Sequence, residues 1–497
     1  MNKLDKDIIE KLAYRVAELG GRAYMVGGAV RDEIMKRPIK DVDIEVHGIS
    51  EEVLEAVLKE LGKPIRFGSA FGVYSLTGHQ IDIALPRSER KAGNGHRDFE
   101  IEIDPFIGIK EAARRRDFTM NALLKDILSG EIADPYGGTE DIKNRIIRHI
   151  DDKKFGEDPL RALRAAQFRS RFGFQVAPST ISICRALGLR NLSAERVELE
   201  MKKALLESRR PSEFFECLRE MGQLGYWFQE LEQLIGLEQN PKFHPEGDVW
   251  THTMMVLDRA AQFRPCASDP YAFMLLALTH DFGKITTTEF VNGAIHAYGH
   301  ELQGAEIAER FLDRVCHGSD IKRYIANMLP NHMRPNKIAE ARSSVKKTNR
   351  MFDDAVAPID LIYFAICDKP KLPHLDAHNL SQASNETHET QGNIEIESEL
   401  YTADEKLREQ ERIKFLFDRL DLYRDMMARP YVTGKDLIDR GIMPGDDFGT
   451  ILEYAHKLRL AGVSKDDALK QTLSYARKLR KILNDKILTI VYNVPIR

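Results

Sequence analysis

VGGAVRDEIMKRPIKDVD, residues 26–43, is the stretch that decides the fold. It comes after a short apolar run, and its glycine pair, Gly27 and Gly28, leads into a helical segment. This pattern predicts a strand-to-helix turn with exposed backbone N–H groups. A phosphate could approach the main chain there, and Arg31 could add a charge-assisted contact. A glycine pair can instead serve close packing alone, so the turn indicates phosphate binding only where other ligand residues accompany it.

Two carboxylates, Asp41 and Asp43, close the stretch within a β-rich run. In a strand, side chains at i and i+2 point the same way, so both would face one side. Like charges this close repel unless a cation neutralises them, and Mg²⁺ with a nucleoside triphosphate would do so. Two aspartates with this spacing, taken alone, could instead be polar residues on the solvent-exposed face of a strand. Asp82, in the apparent strand QIDIAL, is a possible third carboxylate or a surface residue.

The wider pattern around this stretch predicts several domains in the 497 residues. Up to residue 148, short β-rich runs alternate with helical periodicity, which predicts an α/β domain. Beyond it, β-rich runs nearly vanish and helical segments succeed one another. Residues 371–400 are polar and poor in aromatics, which predicts a linker or mobile insertion.

Composition narrows the class of protein. The chain is 43% hydrophobic and 30% charged without an apolar run long enough to span a bilayer, and its first residues indicate an amphipathic helix rather than a signal peptide. Five scattered cysteines without CxxC spacing favour reduced thiols. With a net charge of −4, the chain as a whole does not attract nucleic acid, so nucleic-acid binding would depend on local basic clusters. We therefore expect a cytoplasmic protein with no membrane contact and no evident obligate protein partner.

A basic cluster lies further along the α/β domain. Arg114, Arg115 and Arg116 precede a short polar and apolar stretch that contains Asn121. Guanidinium groups bind triphosphate oxygens bidentately, and an asparagine amide could bond a ribose hydroxyl. Arg116 and Asn121 are therefore candidate nucleotide-binding residues.

The helical part opens with a repeated polar pattern. Asp158, Arg161 and Arg164 recur every three residues at a predicted helix start. One helix face would then carry an acceptor and, after it, two donors, which suits the edge of a nucleobase. Helix capping together with i, i+3 ion pairs would explain the same pattern.

Five motifs in one order resemble the class II tRNA nucleotidyltransferase family, which includes CCA-adding enzymes and bacterial poly(A) polymerases. They are VGGAVRD, DVD, RRRDFTMNAL, DPYGG and EDPLRALRAAQF. The resemblance is close over residues 22–210. It implies a polymerase β-like α/β nucleotidyltransferase head (1–148), an all-α neck and body with a nucleobase-reading motif (149–235), and a helical tRNA-binding tail (401–497). Glu195, Arg196 and Glu200 match a later helical motif of the family, whereas Gln167 stands where many members carry arginine.

The resemblance also implies an activity, the template-independent addition of CMP and AMP to the 3′ end of tRNA, with ATP and CTP as substrates. Its implied roles are Mg²⁺ binding by Asp41 and Asp43, triphosphate contacts by Gly28 and Arg31, nucleotide binding by Arg116, and base pairing by Asp158, Arg161 and Arg164. The run EDPLRALRAAQF resembles CCA-adding members more than poly(A) polymerases. Poly(A) polymerase, or an enzyme that adds only A or only C, remains the alternative.

A second set of metal-ligand residues lies between residues 244 and 370. His252, His280, Asp281 and Asp368 fall in apolar helical segments, and Lys284 stands three residues after Asp281. This distribution resembles the HD superfamily of metal-dependent phosphohydrolases. Imidazole and carboxylate ligands suit Mn²⁺, Ni²⁺, Mg²⁺ or Fe, and a bound metal would lower the pKa of a water that attacks a phosphoester.

Two further histidines, His300 and His332, are possible extra ligands or phosphate contacts of this all-α HD domain. If active, the domain should remove phosphates or open 2′,3′-cyclic ends on RNA. A second alternative function is therefore an HD phosphohydrolase with an RNA-binding N-terminal domain. The intact pair Asp41 and Asp43 argues against it, because unused like charges cost stability through mutual repulsion.

Overall fold

The computed structural model describes residues 3–67, 72–91, 99–369 and 403–492. The chain separates into two compact units, Met1–Glu232 with Asp313–His317, and Gln233–Leu312 with Gly318–Arg497. The finer domain boundaries stay predictions, and the predicted linker 371–400 lies outside the described residues. The predicted order, an α/β head before a helical remainder, is confirmed.

A mixed seven-stranded sheet forms the centre of the first unit, in the order β3-β4-β5-β2-β1-β8-β9. The pair β2–β5 is parallel, and the other neighbours are antiparallel. A separate hairpin joins β6 to β7. The strands are β1 (Arg22–Val26), β2 (Val42–His47), β3 (Pro64–Phe67), β4 (Val73–Leu76), β5 (Ile81–Ala84), β6 (Arg87–Lys91), β7 (Phe99–Ile103), β8 (Leu124–Asp126) and β9 (Ile132–Ala133).

Helices pack against this sheet and continue beyond it. Alternation buries Val42, Ile44 and Val46 of β2 in a core shared with the first and third helices. A short parallel pair, β10 (Ile146–Ile147) and β11 (Gln175–Val176), comes after the sheet in the chain. The helices of this unit are α1 (Lys3–Glu18), α2 (Gly28–Ile34), α3 (Glu51–Leu61), α4 (Ile109–Arg114), α5 (Gly138–Lys143), α6 (Asp152–Gly156), α7 (Leu160–Phe172), α8 (Pro178–Arg185), α9 (Ala194–Glu207), α10 (Ser212–Glu220) and α11 (Gly225–Glu232), with 3₁₀ turns at Thr119–Asn121 and Leu189–Asn191.

The second unit is helical apart from one hairpin, β12 (Thr288–Val291) and β13 (Ala294–Ala297). Its helices are α12 (Val249–Phe263), α13 (Pro270–Thr279), α14 (Lys284–Thr287), α15 (His300–Val315, whose last residues belong to the first unit), α16 (Ser319–Asn331), α17 (Arg334–Glu340), α18 (Val345–Asp354), α19 (Pro358–Cys367), α20 (Ala403–Ala428), α21 (Gly434–Ile438), α22 (Phe448–Leu460) and α23 (Lys465–Tyr492), with a 3₁₀ turn at Arg264–Cys266. Of the helices in the described ranges, none combines the length and hydropathy needed to cross a membrane.

Helix α13 forms the buried centre of the second unit. Asp269 caps its start by accepting hydrogen bonds from the backbone N–H groups of Tyr271 and Ala272, and Pro270 occupies the tolerated first turn. Every residue from Tyr271 to Thr279 is buried. A helix that is apolar on all sides belongs in a core, so its C-terminal end is held in a fixed place.

Candidate functional sites

Three carboxylates come together near the start of two central strands of the seven-stranded sheet. Asp43 on β2 is the register partner of Asp82 on the parallel strand β5, and Asp41 directly precedes β2. All three side chains reach solvent. The surrounding protein nevertheless removes part of the hydration of Asp43 and raises its pKa; Asp82 and Asp41 raise it further, while Arg116 lowers it. The cluster therefore carries the negative charge that attracts a cation, and Asp82 lies beside the predicted pair.

Glu45 connects this cluster to the basic residues that come after α4. It lies two positions after Asp43 on β2, is buried, and accepts hydrogen bonds from His47 (2.9 Å) and Arg115 (3.2 Å). An Arg116 nitrogen lies 3.7 Å away. Burial alone would raise its pKa, but the bond to His47 and the charges of Arg116 and Arg115 lower it to about 2. Sequence reasoning did not single out Glu45, although its i+2 spacing from Asp43 was a signal.

The turn between β1 and α2 requires glycine at Gly27. This residue has φ 69°, and a Cβ atom there would lie 2.6 Å from an Arg116 guanidinium nitrogen. The same nitrogen donates to the backbone carbonyl of Asn121 at 3.3 Å. Gly28, the predicted triphosphate contact, begins α2, and a Cβ atom there would meet Arg31 at an ordinary 3.4 Å. The tight packing against Arg116 thus falls at Gly27, and the triphosphate contact of Gly28 stays a prediction.

A chain of hydrogen bonds joins Arg31 to Arg164. Arg31 Nη1 donates to Asn121 Oδ1 (2.7 Å), and Asn121 Nδ2 donates to Asp117 Oδ1 (2.8 Å). Arg164 Nε donates to Asp117 Oδ2 (2.7 Å). The guanidinium carbons of Arg31 and Arg164 lie 5.2 and 5.3 Å from the centre of the same Phe168 ring. The predicted triphosphate residue and the predicted base-pairing residue therefore belong to one connected network.

The polar pattern at the start of α7 has specific partners. Asp158 accepts from Arg196 Nη2 at 3.0 Å and from the Leu160 N–H at 3.1 Å. Arg161 donates to the carbonyls of Lys154 (2.8 Å) and Arg115 (2.7 Å). Asp158 thus satisfies the first N–H of α7 from the residue before its N-cap, Pro159, whereas Arg161 bonds to main-chain carbonyls.

Two unpaired polar atoms lie beside this pattern. Arg196 Nη1 and Glu200 Oε2 are buried and have no hydrogen-bond partner in the described part of the chain. Buried polar atoms of folded proteins bond to protein, water or ligand, so these two atoms are available to a bound molecule. Arg196 bonds Asp158, and Glu200 Oε1 lies 4.0 Å from Arg164. Gln167 lies close by on α7 but is buried, and its amide oxygen, turned toward Arg171, accepts from Nη1 (2.9 Å) and Nε (3.2 Å).

Four histidines converge in the second unit, and three of them share one local geometry. His280, His300 and His332 donate Nδ1–H to the backbone carbonyl three residues earlier, at 3.0, 2.9 and 2.7 Å. This bond fixes the tautomer, so each Nε2 carries a lone pair. All three Nε2 atoms are buried and lack hydrogen-bond partners among the described residues. The fourth, His252 on α12, bonds through Nδ1 to Glu246 Oε1 at 2.8 Å.

Asp281 and Asp368 complete the cluster. Asp281 Oδ2 lies 3.2 Å from His280 Nε2 and its Oδ1 lies 3.5 Å from His300 Nε2. Asp368 Oδ1 lies 3.2 Å from His252 Nε2. Two triads therefore share Asp281, and within each the ligand atoms lie within 4.8 Å of one another. The triads are His252, His280 and Asp281, and Asp281, His300 and His332.

Burial and mutual charge set the protonation of this cluster. Burial would lower the pKa of His252, yet Asp368, Glu246 and Asp281 raise it to about 9. Burial would raise the pKa of Asp368, but His252 and the other imidazoles lower it to about 2. Burial lowers the pKa of His332 to about 4. Positive charge thus stabilises the ionised carboxylates. A divalent cation would supply this charge and could bind the unpaired imidazole nitrogens.

Neighbouring residues hold the cluster in place. Lys284 Nζ donates to Gln239 Oε1 (2.9 Å) and lies 2.8 Å from Asp281 Oδ2. His280, His332 and Asp368 are the C-terminal caps of α13, α16 and α19. The partial negative charge of three helix ends also favours a cation there. The residues expected from sequence, including Lys284, His300 and His332, therefore come together, whereas the supports Gln239 and Glu246 were not anticipated.

Comparison with known proteins identifies the family to which the chain is similar. Residues 23–148 match the family model of the poly A polymerase head domain. The chain is 38% identical over 326 residues to a multifunctional CCA protein of Actinobacillus pleuropneumoniae serotype 5b, covering 64% of this chain and 77% of that protein. It is 37% identical over 341 residues to a multifunctional CCA protein of Pasteurella multocida, covering 66% and 79%. A Thermotoga maritima CCA-adding enzyme complexed with tRNA-CCA has a similar fold, with a TM-score of 0.60 and 19% identity over 96% of each chain.

The head-domain match over the sheet, together with the helical continuation, shows that the chain is a nucleotidyltransferase. The chain belongs to the class II CCA-adding enzyme family, which includes the multifunctional CCA proteins. The resemblance recognised in the sequence motifs is thereby confirmed. Enzymes of this family are metal-dependent, and the second unit contains groups of histidine and carboxylate side chains that could hold a metal ion.

Proposed function

We propose that this protein adds CMP and AMP to the 3′ end of tRNA without a nucleic-acid template. The observation that carries the proposal is the placement of Asp43 beside Asp82 on parallel strands with Asp41 directly before them. The curated relatives at 37–38% identity are multifunctional CCA proteins, which agrees with this reaction. A cytoplasmic location goes with this proposal.

Asp41 and Asp43 would hold Mg²⁺ in this proposal, with Asp82 as a third candidate. Bound there, Mg²⁺ supplies Lewis acidity toward the primer 3′-hydroxyl and offsets charge on the leaving pyrophosphate. Gly28 and Arg31 contact the triphosphate, and Arg116, beside Asp43, contributes a further positive charge. Asn121 holds Arg31 through its amide oxygen, so its first role is to position that guanidinium group.

Base selection falls to Asp158, Arg161 and Arg164. Cytosine and adenine both present an amino donor beside a ring-nitrogen acceptor, whereas uracil and guanine present a carbonyl beside an N–H. A carboxylate acceptor beside guanidinium donors therefore matches C and A and opposes U and G. The unpaired atoms of Arg196 and Glu200 lie beside this set and offer further bonds to the incoming nucleotide.

The test is extension of a tRNA that lacks its 3′ CCA, with Mg²⁺ and with CTP, ATP or both, resolved at single-nucleotide length. We expect two additions with CTP alone and a third after ATP is supplied. Asp41→Ala and Asp43→Ala should be inactive, and Asp7→Ala, an exposed carboxylate on α1, should match the wild type. Long tails from ATP alone would instead identify a poly(A) polymerase, and a single kind of addition would identify a partial enzyme.

The second unit favours an additional function, hydrolysis of phosphoesters at RNA ends. His252, His280, Asp281 and Asp368 would hold Mn²⁺, Ni²⁺ or Mg²⁺, with His300 and His332 as further ligands. A metal there supplies an activated water. Water adds to the phosphorus of a 2′,3′-cyclic end, one P–O bond to the ribose breaks, and the departing ribose oxygen takes a proton.

A phosphodiesterase assay on 2′,3′-cyclic RNA ends tests this second function. The double variant His280→Ala, Asp281→Ala should lose hydrolysis. The matched control His317→Ala, Asp320→Ala removes an exposed histidine and an exposed aspartate and should retain it. Equal hydrolysis by the wild type and the first variant would rule out this centre as the source of activity.

A further inference from the structure

Exposed aromatic side chains flank the metal-ligand cluster of the second unit. Tyr298 is 76% exposed and lies two residues before His300, a distance of at most about 7 Å along the chain. Phe243 is 70% exposed and directly precedes His244, whose ring centre lies 4.7 Å from that of His252. Neither ring belongs to the donor set described above. Both are therefore solvent-exposed rings in segments adjacent to residues of the cluster.

The hairpin β12–β13 presents Tyr298 in a fixed orientation. The rings of His296 and Tyr298 are stacked, with centres 4.9 Å apart and planes within 10° of each other. One face of Tyr298 is thus backed by protein, and its high exposure leaves the other face open to solvent. Asn240 Nδ2 donates to the Ile295 carbonyl at 3.4 Å, which ties the segment that carries Phe243 to the same hairpin.

We propose that Tyr298, backed by His296, stacks on the 3′-terminal nucleobase of an RNA whose end phosphate lies at the metal-ligand cluster. This inference rests on the phosphohydrolase function proposed above. Aromatic side chains bind bases through their π-faces, and such stacking tolerates any sequence. Lys242 lies 5.7 Å from the Phe243 ring centre and adds positive charge on the side of the ribose-phosphate chain. A stacking site suits an enzyme that must accept RNA ends broken at different nucleotides.

The hairpin itself provides a matched control. Phe290 is 74% exposed, and its register partner is Ile295, whereas His296 pairs with Glu289. Successive strand residues face opposite sides, so Phe290 lies on the other face of the hairpin from His296. Tyr14 on α1, 63% exposed, is a second control because its replacement removes an exposed tyrosine from the first unit.

Binding is measured by titrating the full-length protein, with Mg²⁺, into 2-aminopurine riboside 3′-monophosphate, whose fluorescence falls when the base stacks on an aromatic ring. We expect Tyr298→Ala to raise Kd about fivefold or more and to reduce the quenching. Tyr298→Phe, Phe290→Ala and Tyr14→Ala should match the wild type. Any binding of the fluorescent nucleotide to the first unit is the same in the wild type and in the Tyr298 variants, so it does not affect the comparison between them. Equal Kd and equal quenching for Tyr298→Ala would overturn the inference.

Hydrolysis assays distinguish the proposed stacking site from the phosphohydrolase function on which it rests. The substrates are adenosine 2′,3′-cyclic phosphate and the same cyclic phosphate on a ribose without a base. We expect Tyr298→Ala to raise KM for the first substrate about fivefold or more, with kcat and the second substrate unchanged. Equal KM values in wild type and variant would overturn the stacking site alone. Failure of the wild type to hydrolyse either substrate would overturn the phosphohydrolase function, and the fluorescence titration would still decide whether Tyr298 binds a base.

Discussion

A buried carboxylate stays ionised only where cationic or hydrogen-bonding partners replace its water, and Glu45 has three such partners, His47, Arg115 and Arg116. They hold its pKa at about 2, below its ordinary 4.5. Because the folded pKa is the lower one, the stabilisation is present above pH 4.5 and is lost as pH falls toward 2. Glu45 thus makes the head sensitive to acid.

We predict that Glu45→Gln lowers the free energy of unfolding at pH 7 by up to about 3 kcal/mol, which is the free energy that corresponds to the pKa shift of Glu45. The gap to the wild type should shrink as pH falls from about 4.5 toward 2, because Glu45 of the unfolded wild type takes up a proton in this range while Glu45 of the folded protein stays ionised. Urea unfolding midpoints of both proteins across this range measure the effect. Glu10→Gln, an exposed carboxylate on α1, serves as the control. A gap that does not change with pH would show that the charge of Glu45 is not the cause.

A second prediction concerns Asp117, which holds the side chain of Arg164 in place. Its two oxygens accept from Asn121 (2.8 Å) and Arg164 (2.7 Å), so it fixes the guanidinium group proposed to read the base. Asp117→Asn keeps the shape but removes the charge. We expect kcat/KM for CTP and ATP to fall about tenfold or more, because a loosened Arg164 no longer meets the base edge in one geometry.

Single-nucleotide addition to tRNA, measured with all four nucleoside triphosphates, checks the role of Asp117. Incorporation of U and G should rise relative to C and A, which a loss of stability alone would not produce. Asp7→Asn is the matched exposed substitution. Unchanged discrimination among the four bases would contradict a positioning role for Asp117.

Several residues of both sites were identifiable from spacing alone, and others were not. Asp41 and Asp43 are neighbours in sequence, and their i, i+2 relation is a consequence of strand geometry. Phe168 contacts two arginines, one of which precedes it by more than a hundred residues. Gln239 meets Lys284 across 45 residues. Such partners depend on tertiary packing, which no local periodicity encodes.

The ends of secondary-structure elements, rather than their interiors, build the second centre. The apolar pattern predicted a helix containing His280 and Asp281, but α13 ends at Thr279 and His280 is its cap. The Nδ1 bond of His280 to the Ala277 carbonyl satisfies one of the last helical carbonyls and turns Nε2 toward the cluster. The hairpin β12–β13 was not anticipated, although Asn292 and Gly293, with φ 52° and 81°, are typical of a two-residue hairpin turn.

Metal removal tests the second centre, because its proposed ligands include His252 on α12 and the C-terminal caps of α13, α16 and α19. A ligand that binds only the folded state at a hundred times its Kd stabilises by about 2.7 kcal/mol. We therefore predict that Mn²⁺ raises the thermal unfolding midpoint of the second unit and that a chelator reverses the shift. His332→Ala should reduce the metal-induced shift.

Calorimetry of the metal-loaded and chelated proteins gives this shift for each variant. His317→Ala, which removes an exposed histidine, should retain the full effect of the metal. The same shift in His332→Ala as in the wild type would remove His332 from the ligand set. No shift in any protein would argue that the cluster does not bind this metal in the folded state.

Across the whole molecule, each site lies within one compact unit. The carboxylates and their network fall within Met1–Glu232, and the histidine cluster falls within Gln233–Leu312 and Gly318–Arg497. The sequence pattern alone predicted an α/β part before a helical one, since β-rich runs end near residue 148. The break between units at residue 232 comes at the end of α11, before a non-helical stretch that leads to α12 at Val249. The predicted end of the neck and body, residue 235, lies close to this break, and the finer domain bounds stay predictions.

This arrangement predicts that the two proposed activities can be removed separately. The proposed ligands of each site come from its own unit, so Asp43→Asn should abolish nucleotide addition and leave hydrolysis of 2′,3′-cyclic ends unchanged. The double variant His280→Ala, Asp281→Ala should lose hydrolysis and keep nucleotide addition within about twofold, as expected for sites that share no partners. Both assays, run on each variant and on the combined triple variant, measure the separation. If the histidine variant also loses nucleotide addition while its thermal unfolding matches that of the wild type, the two centres are coupled, and neither can be treated as an independent site.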